Sequence, residues 1–469
     1  MSLSIRRWTI ASVLSLAATA HAVDLHVPAE YPTIQAAIDA AVDGDRVRIA
    51  PGTYFENVSF LGKEIVVEST DGPEVTIIDG SFLSSVVEML DVDLSTSTLR
   101  GLTITHGRGF GPAPDITWGG GVVAEGGTIT RCIIVDNEAT VGGGITIYAA
   151  AVVGNIIEGN RSDNGGGVNV DSGTGAVIEG NVIRNNWSGY FGDMFEGNGG
   201  GLTVYLSDDI VVRNNLFVDN LATGALFGPN GGIGGGVFIE GSSFLDFSHN
   251  TIVGNSATQA GGGLRSASST FTVSNSICWD NDAPLLPEIG ASSPQPFVRY
   301  SIVQGGYAGS SEFVSSNDPL FVAGPFGDHY LAQVATGDPA DSPAVDGGDP
   351  VLLPPDGTTR TDGALDGGVP DMGFHFPVPA FFRRGDANGD AVLDIADAVS
   401  QLTGLFVSAD TFSCIDAADT NDDGAFDISD PIYLLTSLFG MGAPPPPPVD
   451  CGADPTLDTL SCGGSPACP

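Results

Sequence analysis

Positive charge is the feature that this sequence has least of. Its 469 residues include 16 lysines and arginines against 57 aspartates and glutamates, for a formal net charge of −41 at pH 7. So acidic a chain repels nucleic acid and anionic membranes, and neither is an expected partner. It also disfavours anionic polysaccharides unless a divalent cation bridges the charges. Lys63 is the one lysine and precedes the repeats described below, which excludes a lysine base within them.

Long apolar runs are also missing. A membrane-spanning helix needs about 20 apolar residues, and no segment of the sequence reaches that length. Residues 1–22 contain two early arginines, an apolar run over 8–18 and a small-residue site ending at Ala22. This order is typical of a secretory signal peptide that is removed from the mature protein. We therefore expect a secreted protein, located outside the cell or on its surface, without a membrane span.

Glycine and asparagine recur at fixed positions in the middle of the chain. Glycine triplets precede short alternating apolar segments and begin at Gly119, Gly142, Gly165, Gly199, Gly234 and Gly261. A second apolar segment carries an asparagine, at Asn155, Asn181, Asn215, Asn250 and Asn275, and another closes most units, at Asn137, Asn160, Asn186, Asn220 and Asn255. The basic period of 23 residues, seen from Gly119 to Gly142 to Gly165, predicts a β-solenoid. We expect the stacked asparagines to hydrogen-bond along its axis.

The two ends of such a stack need covers, because an open strand edge pairs readily with other chains. Residues 33–42 predict a helix over the first turn, with Thr33 as its N-cap and Gly44 as its stop. Its apolar face comprises Ile34, Ala37, Ile38 and Ala41. Residues 318–377 are rich in Asp, Gly and Pro and no longer repeat, so we expect them to cover the last turn.

Several segments resemble the pectate-lyase-like right-handed parallel β-helix proteins. YPTIQAAIDAAVDGDRVRIAPGTYFENV (31–58) is similar to their N-terminal cap. LRGLTITHG (99–107), the glycine-triplet turns and NDPLF…SPAVDGGDP (317–350) are similar to the rest of that superfamily. The resemblance covers residues 23–377 and implies a mostly β chain, a right-handed parallel β-helix with an N-terminal capping helix. It implies no single activity, because this fold carries lyases, hydrolases, esterases and non-catalytic proteins.

The six cysteines fall into two groups. Cys132 and Cys278 lie in the repeats, five repeats or about 24 Å apart at about 4.8 Å per turn, whereas a disulfide needs Cα atoms within about 7 Å. We therefore predict that both are buried free thiols. Cys414, Cys451, Cys462 and Cys468 allow three pairings, of which we favour Cys414–Cys451 with Cys462–Cys468.

An acidic pattern occurs twice near the C-terminus. Oxygen ligands at loop positions 1, 3, 5 and 12, a backbone carbonyl at 7 and a water-linked residue at 9 suit calcium, which binds six to eight oxygens. The predicted ligands are Asp386, Asn388, Asp390, Val392, Asp394 and Asp397 in the first loop, and Asp419, Asn421, Asp423, Ala425, Asp427 and Asp430 in the second. The alternative is a pair of solvated acidic turns, which the repetition in register disfavours.

Residues 383–441 resemble a type I dockerin domain, in which loop position 12 is Asp rather than the Glu of an EF-hand. The resemblance implies a small α-helical module that folds with calcium and docks to a cohesin-like or cell-surface partner. Ala391 replaces the glycine that eases the turn at position 6, and Ile395-Ala396 and Ile428-Ser429 replace the usual Ser-Thr recognition pair. These departures affect cohesin recognition more than calcium binding. Residues 442–469 form a cysteine-bearing tail, with the proline run 444–448 as a stiff spacer.

Three long segments of the repeats, 108–118, 187–198 and 221–233, fall at one phase, with the short links 138–141 and 161–164 between them. Equal phase in a solenoid means the same side, so this pattern predicts a cleft with long walls and a short floor. The candidate sugar-binding residues on the walls are Trp118, Trp187 and Tyr190, and the candidate catalytic residues on the floor are Glu138, Arg161 and Asp163. Aromatic faces with carboxylates suit a neutral sugar chain, and the alternative is that the same aromatics pack the loops onto the helix.

No complete catalytic signature of the superfamily occurs. Of the aspartates expected in a polygalacturonase only Asp208-Asp209 is suggestive. Hydrolysis by the carboxylates of Glu138 and Asp163 stays open. So does an arginine base, for which the candidates are Arg161, Arg184 and Arg213. The sequence therefore predicts a secreted protein that binds extracellular polysaccharide, with depolymerisation by lyase or glycoside-hydrolase chemistry open. The alternative is a non-catalytic surface, adhesion or spacer protein.

Overall fold

The computed structural model describes residues 22–91, 96–113, 116–190, 197–224, 231–378, 381–407, 412, 414–424, 426–440, 442–453, 462 and 468. The predicted signal peptide, apart from Ala22, therefore lies outside the described residues. Within these ranges no helix combines the length and the apolar character needed to cross a membrane.

The chain between residues 24 and 315 coils into stacked turns, which confirms the predicted β-solenoid. Strands of successive turns pair in parallel and form four ladders along the axis. One turn runs through Ala151–Val153, Ile156–Glu158, Arg161–Ser162 and Val168–Asp171, which belong to ladders 1, 2, 3 and 4 in that order.

The strands of each ladder are as follows. Ladder 1 contains Asp24–Val27, Arg46–Ile49, Val66–Ser69, Thr98–Arg100, Thr128–Thr130, Ala151–Val153, Val177–Glu179, Val211–Arg213, Ser243–Ser248, Thr270–Ser274, Phe297–Val303 and Ser311–Ser315. Ladder 2 contains Gly52–Tyr54, Thr76–Asp79, Thr103–Thr105, Ile133–Val135, Ile156–Glu158, Val182–Arg184, Leu216–Val218, Thr251–Val253 and Ile277–Trp279. Ladder 3 contains Arg161–Ser162, Trp187–Ser188, Leu221–Ala222 and Ser256–Ala257. Ladder 4 contains Val58–Ser59, Val87–Met89, Val122–Ala124, Ile145–Ile147, Val168–Asp171, Leu202–Tyr205, Val237–Glu240, Leu264–Ala267 and Ile289–Ala291.

The inside of the coil is filled by columns of aliphatic side chains. Because strand side chains alternate, one residue of each three-residue strand in ladders 1 and 2 points inward and stacks on its counterpart one turn away. One such column, joined by register pairs, contains Ile129, Val152, Ile178 and Val212, and each of these residues is 0% exposed. A single turn cannot bury this surface, so the core exists only through stacking.

Buried asparagines form a continuous hydrogen-bonded column at the corner between ladders 2 and 3, which confirms the prediction for these residues. Each side-chain Nδ2 donates to the Oδ1 of the asparagine in the next turn, at 2.9–3.0 Å. We call this column the asparagine ladder, and its members are Asn137, Asn160, Asn186, Asn220, Asn255 and Asn281. Each Oδ1 also accepts the backbone N–H of the preceding member, so the side chains satisfy the polar groups of the corner.

The predicted second column, at the corner between ladders 1 and 2, is correct except at its end. Asn155, Asn181, Asn215 and Asn250 bond in sequence, but the next position is Ser276, whose Oγ accepts the Asn250 N–H at 3.2 Å. The predicted member Asn275 is one residue out of register. It adopts a left-handed conformation, with φ of 47°, and its Nδ2 lies 2.8 Å from His249 Nε2.

Cys132 and Cys278 are buried and unpaired, as predicted. Burial raises the pKa of both thiols, which keeps them protonated. Strand pairing confirms that five turns separate Ile133–Val135, which follows Cys132, from Ile277–Trp279, which contains Cys278.

A carboxylate ends the asparagine ladder. Glu288 Oε2 accepts the Asn281 Nδ2–H at 2.6 Å, and Oε1 accepts its backbone N–H at 3.2 Å. Glu288 is 5% exposed, and burial raises its pKa from 4.5 to about 7, although the bonds from Asn281 act in the opposite direction. The folded state therefore holds this proton more tightly than the unfolded state does.

We expect Glu288→Gln to remove part of the pH dependence of stability. Because the folded pKa is raised, the contribution of Glu288 to stability is fully present below about pH 4.5 and is lost as the pH rises through about 7, by about 3 kcal/mol in total. An amide oxygen accepts both Asn281 bonds, as the ladder asparagines do. Urea unfolding should give equal stabilities near pH 4.5 and a more stable variant at pH 8. A variant that is less stable than the wild type at pH 8 would contradict this account.

Side chains of the first turn hold the N-terminal helix α1 (Ile34–Ala40) at both ends. Thr33 is the N-cap, as predicted, and Glu56 accepts the N–H groups of residues 34 and 35 at 2.9 and 3.0 Å. Lys63 Nζ donates to the carbonyls of residues 38, 39 and 41 at 2.7–2.9 Å. The helix ends at Ala40, four residues before the predicted stop, because Ala41 is extended with ψ of 152°, and Lys63 satisfies carbonyls at this end.

Residues 318–377 lie along the outer face of ladder 2, rather than over the last turn alone as predicted. The N–H groups of residues 373, 374 and 375 bond to Asn275, Thr251 and Asn214, which lie on three successive turns. Tyr330 and Phe376 stack at 3.8 Å between ring centroids and pack against the same face. This segment also contains the hairpin Phe321–Gly324 with Gly327–Leu331 and the 3₁₀ turn Val334–Thr336.

The C-terminal module contains helices α2 (Ile395–Phe406), α3 (Ile415–Ala418) and α4 (Ser429–Phe439). The proline-containing tail is not a free spacer, since it folds back on the module. Gly452–Ala453 pairs antiparallel with Phe381–Phe382. The tail therefore lies against the start of the module.

The predicted disulfide pairing is wrong. The structure joins Cys414 to Cys462 and Cys451 to Cys468. The prediction paired cysteines by order along the chain, whereas the antiparallel return of the tail sets Cys462 beside Cys414 in a β-bridge. One disulfide therefore ties the tail to helix α3, and the other closes the tail on itself.

Candidate functional site

A pocket of about 230 Å³ opens at the corner between ladders 2 and 3. Four successive turns contribute its lining residues, which are Phe82, His106, Asp136, Asn137, Glu138, Gly159 and Arg161. The residues that follow the ladder 2 strands adopt left-handed conformations, with φ of 55° at His106, 53° at Asp136 and 67° at Gly159. A Cβ at Gly159 would lie 3.1 Å from Asp136 Oδ1, so glycine at this position keeps the pocket open.

A histidine–aspartate pair lies on one side of this pocket. His106 Nδ1 is 2.9 Å from Asp79 Oδ2, and its ring lies 4.9 Å from that of Phe82. The carboxylate favours the tautomer with the proton on Nδ1, which leaves a lone pair on Nε2. The His106 side chain is 41% exposed and lines the pocket.

Arg161 differs from the other candidate arginines in lacking a carboxylate partner among the described residues. Arg184 pairs with Glu158 and Arg213 pairs with Glu179, each at 2.7 Å. The Arg161 guanidinium instead lies 5.3 Å from the centroid of the Tyr190 ring. Among the described residues, Arg161 therefore brings a positive charge to the pocket lining that no carboxylate pairs with.

The predicted floor residues are only partly brought together. Glu138 and Arg161 pair in a β-bridge on adjacent turns and both line the pocket. Glu138 also lies 3.7 Å from Arg108 Nε. Asp163 is 2% exposed and lies below the surface rather than on the floor.

The predicted wall residues form two groups rather than one platform. Trp187 pairs with Arg161 in ladder 3, meets the Tyr190 ring edge-on at 5.0 Å and donates from Nε1 to Thr223 Oγ1 at 2.8 Å. Trp118 instead belongs to the hairpin Phe110–Ala113 with Ile116–Trp118. It lies three turns, or about 14 Å, from Trp187 along the axis. A ligand that touches both must extend over several turns.

The common phase of the long segments is confirmed. Their last residues, Trp118, Asn198 and Ile233, belong to one row of bridges with Val141 and Asn164 of the short links. Much of the walls lies outside the described residues, including Asp115 and the ranges 191–196 and 225–230.

Sequence reasoning missed His106, Phe82 and Asp136 as pocket residues, and Asp79 as the partner of His106. The signal was present, because residue 106 occupies the same corner position as Asp136, Gly159 and Asn185, and a histidine there is unusual. It was overlooked because 99–107 was interpreted only as a fold motif.

The two acidic loops of the C-terminal module share one geometry. Asp386 accepts the N–H groups of residues 390 and 391, and Asp419 accepts those of residues 422, 423 and 424. At the other end of each loop, Asp397 and Asp430 accept the N–H groups of residues 394 and 427. Ala391 has φ of 69°, close to the 76° of Gly424, so the first loop makes the same turn without glycine.

The loop carboxylates are of the chemical type that calcium prefers. Burial raises the pKa of Asp397 to about 6. Burial, and next the charge of Asp430, raises the pKa of Asp419, while burial raises that of Asp430. Carboxylates that are hard to ionise alone would gain from a divalent ion, and their oxygens are the ligands that calcium prefers.

The other predicted ligands lie within the same two loops. They are Asn388, Asp390, Val392 and Asp394 in the first loop, and Asn421, Asp423 and Asp427 in the second. Ala425 lies outside the described residues. In the described part of the chain no three acidic, histidine or cysteine side chains are gathered as ligands around one point. Calcium binding therefore stays a prediction.

Comparison with a family model agrees with the architecture. The family described as right-handed beta helix region matches residues 91–278. No curated protein sequence matches the chain. Among solved structures, pectate lyase Pel9A is 14% identical and covers 73% of this chain and 90% of its own, with a TM-score of 0.38.

Two further structures have similar relationships to this chain. XylC in complex with xylose is 11% identical, over 72% of this chain and 65% of its own, with a TM-score of 0.37. The catalytic unit of a GH87 α-1,3-glucanase from Streptomyces thermodiastaticus strain HF3-3 is 14% identical, over 61% and 65%, with a TM-score of 0.32. The strand ladders together with the family match establish that the central region of this chain is a right-handed parallel β-helix.

Proposed function

We propose that this chain is a secreted β-helix protein that binds extracellular polysaccharide at the His106–Arg161 pocket and attaches through a calcium-stabilised, dockerin-like module. The observation that carries the proposal is Arg161, which lines the pocket, lies against Tyr190 and has no carboxylate partner among the described residues. A sugar with an anionic substituent supplies that partner, and aromatic side chains beside it supply apolar contact. Calcium offsets the repulsion between an acidic chain and an acidic sugar.

The same pocket carries groups that depolymerisation would use. The Nε2 lone pair of His106, oriented by Asp79, can accept a proton, and Glu138 and Asp136 add carboxylates. Incubation with polygalacturonate, alginate, carrageenan and dextran separates the possible activities. Unsaturated products indicate a lyase, and new reducing ends without unsaturation indicate a hydrolase. Binding without products supports the non-catalytic surface protein as the alternative.

We expect Arg161→Gln to weaken binding to polygalacturonate or alginate at least tenfold in affinity electrophoresis. A charge-assisted contact contributes about 1.5–3 kcal/mol, and ten-fold corresponds to about 1.4 kcal/mol. Arg213→Gln is the matched control, because Arg213 pairs with Glu179 on ladder 1, away from the pocket. Binding that is unchanged in the Arg161 variant would remove this pocket as the sugar site.

The attachment half of the proposal is supported by repeated apolar exposure on the module. Three residues in or beside α2 and their counterparts 33 positions later, in or beside α4, are all 48–73% exposed. These pairs are Ile395 with Ile428, Val399 with Ile432, and Phe406 with Phe439. Exposed apolar side chains repeated on two related helices are suited to contact with a protein partner, such as a cohesin-like or cell-surface protein.

A further inference from the structure

Arg384 in the C-terminal module is a fully buried arginine. Its residue exposure is 0%, and burying a charge is costly unless its partners are well placed. Nη1 donates to Asp416 Oδ1 at 3.1 Å and to the Asp419 carbonyl at 3.0 Å, and Nη2 pairs with Asp422 Oδ1 at 2.9 Å. Nε donates to the Pro447 carbonyl at 3.0 Å. The guanidinium is therefore neutralised and saturated entirely within the module.

The side-chain partners of Arg384 belong to three parts of the module, since Asp416 lies in helix α3. Asp419 and Asp422 are positions 1 and 4 of the second acidic loop, whereas Pro447 lies in the tail. The backbone of Arg384 adds a second tail contact, since its N–H donates to the Pro448 carbonyl at 2.9 Å. One side chain thus fixes the first residues of the loop relative to the tail.

The neighbouring arginine makes a weaker version of the same link to the first loop. Arg383 Nε donates to the Val449 carbonyl in the tail and Nη1 donates to the Ala391 carbonyl in the first loop, both at 3.0 Å. These contacts are exposed and include no carboxylate, so they hold the first loop less firmly. Arg383 is therefore the natural comparison for Arg384.

We propose that Arg384 is a positioning residue that couples docking of the C-terminal tail to calcium binding in the second loop. The inference rests on the calcium part of the proposed function. Because Asp416 and Asp422 more than offset its charge, and because it donates to the Asp419 carbonyl, Arg384 acts by holding the loop backbone rather than by repelling the ion. Coupling between two binding events is reciprocal, so a docked tail strengthens calcium binding and bound calcium holds the tail.

The disulfide between Cys414 and Cys462 belongs to this coupling. It joins the residue before α3 to the tail, and α3 contains Asp416, one of the two carboxylates paired with Arg384. An oxidised chain therefore keeps the tail close to the second loop at all times, which raises its effective concentration there. We expect the second loop to bind calcium more weakly in the reduced protein.

The test measures calcium affinity by titration calorimetry on the full chain carrying Asp386→Ala, which leaves the second loop as the binding site. In this background Arg384→Gln should weaken calcium binding at least tenfold, and Arg383→Gln less than threefold. Equal or tighter binding in the Arg384 variant overturns the coupling. If the parent chain binds no calcium, the calcium part of the proposed function fails instead.

A second measurement needs no substitution at Arg384. Thiols that appear on treatment of the native parent chain with dithiothreitol report how often the tail leaves the module. Calcium should slow their appearance at least tenfold in the parent and should have little effect in Asp419→Ala. Reduction at the same rate with calcium and with chelator overturns the proposal, even if Arg384→Gln fails to fold.

Discussion

Replacing Asn186 by alanine should destabilise the β-helix by about 4 kcal/mol. Asn186 Oδ1 accepts both the backbone N–H and the Nδ2–H of Asn160 at 3.0 Å, and its own Nδ2 donates to the Ile157 carbonyl at 2.9 Å. All of these groups are buried, and each buried polar group left without a partner costs about 1–3 kcal/mol. Urea unfolding followed by circular dichroism measures the loss.

The adjacent residue supplies the control. Asn185 occupies the exposed left-handed corner, with φ of 55°, and its side-chain Nδ2 donates to Glu158 at 3.3 Å. Asn185→Gly suits that backbone and should change stability by less than about 0.5 kcal/mol. Because a solenoid is stabilised by contacts between neighbouring turns, proteolysis of the Asn186 variant should begin in the turns that contain residues 160–220. A loss below 1 kcal/mol for Asn186→Ala would show that the ladder contributes little.

Chelating calcium should unfold the C-terminal module while the β-helix stays folded. A ligand present at a thousand times its Kd adds about 4 kcal/mol per site when the unfolded chain does not bind it. Circular dichroism of the full chain should therefore lose helical signal with chelator, and trypsin should then cleave at Arg383 and Arg384. Identical spectra and cleavage in both conditions would contradict calcium binding.

The two loops allow a graded version of this experiment. Asp419→Ala removes the ligand at position 1 and should abolish calcium stabilisation of the second loop. Asp394→Ala should have a smaller effect, because position 9 acts through water. Asp394 also caps α2 through the N–H of Ala396, so its loss costs about 1 kcal/mol with or without calcium. Asp450→Ala, in the tail outside both loops, is the control.

The repeats made most of the fold predictable from the sequence. An asparagine that must satisfy the same corner in every turn recurs at the same spacing, so its chemistry is visible without coordinates. The prediction was wrong at Asn275 because Ser276, one residue later, supplies the acceptor oxygen of the column. When two adjacent residues are polar, the sequence does not show which of them points into the column. The segment 318–377 was misplaced because it has no period, and its docking depends on contacts with distant turns.

The candidate site was harder to predict, for a physical reason. Residues that share a pocket in a solenoid come from successive turns, so His106, Glu138 and Arg161 are separated by a whole repeat or more. Their equal position in the repeat predicted that Glu138 and Arg161 lie close together. Whether a side chain at a corner faces a pocket depends on neighbouring residues, such as Gly159. The disulfides failed similarly, because the return of the tail beside Phe381–Phe382 leaves no mark in cysteine spacing.

The asparagine ladder produces a dipole along the axis of the β-helix. One Nδ2–H of each asparagine donates to the next turn, in the same sense from Asn137 toward Asn281. The other donates to a backbone carbonyl of the preceding turn. Aligned amide dipoles add, and each bond polarises its neighbours, so the positive end of the column lies where the carboxyl group of Glu288 receives it. The asparagine ladder thus carries an axial dipole, which grows with every turn that retains its asparagine.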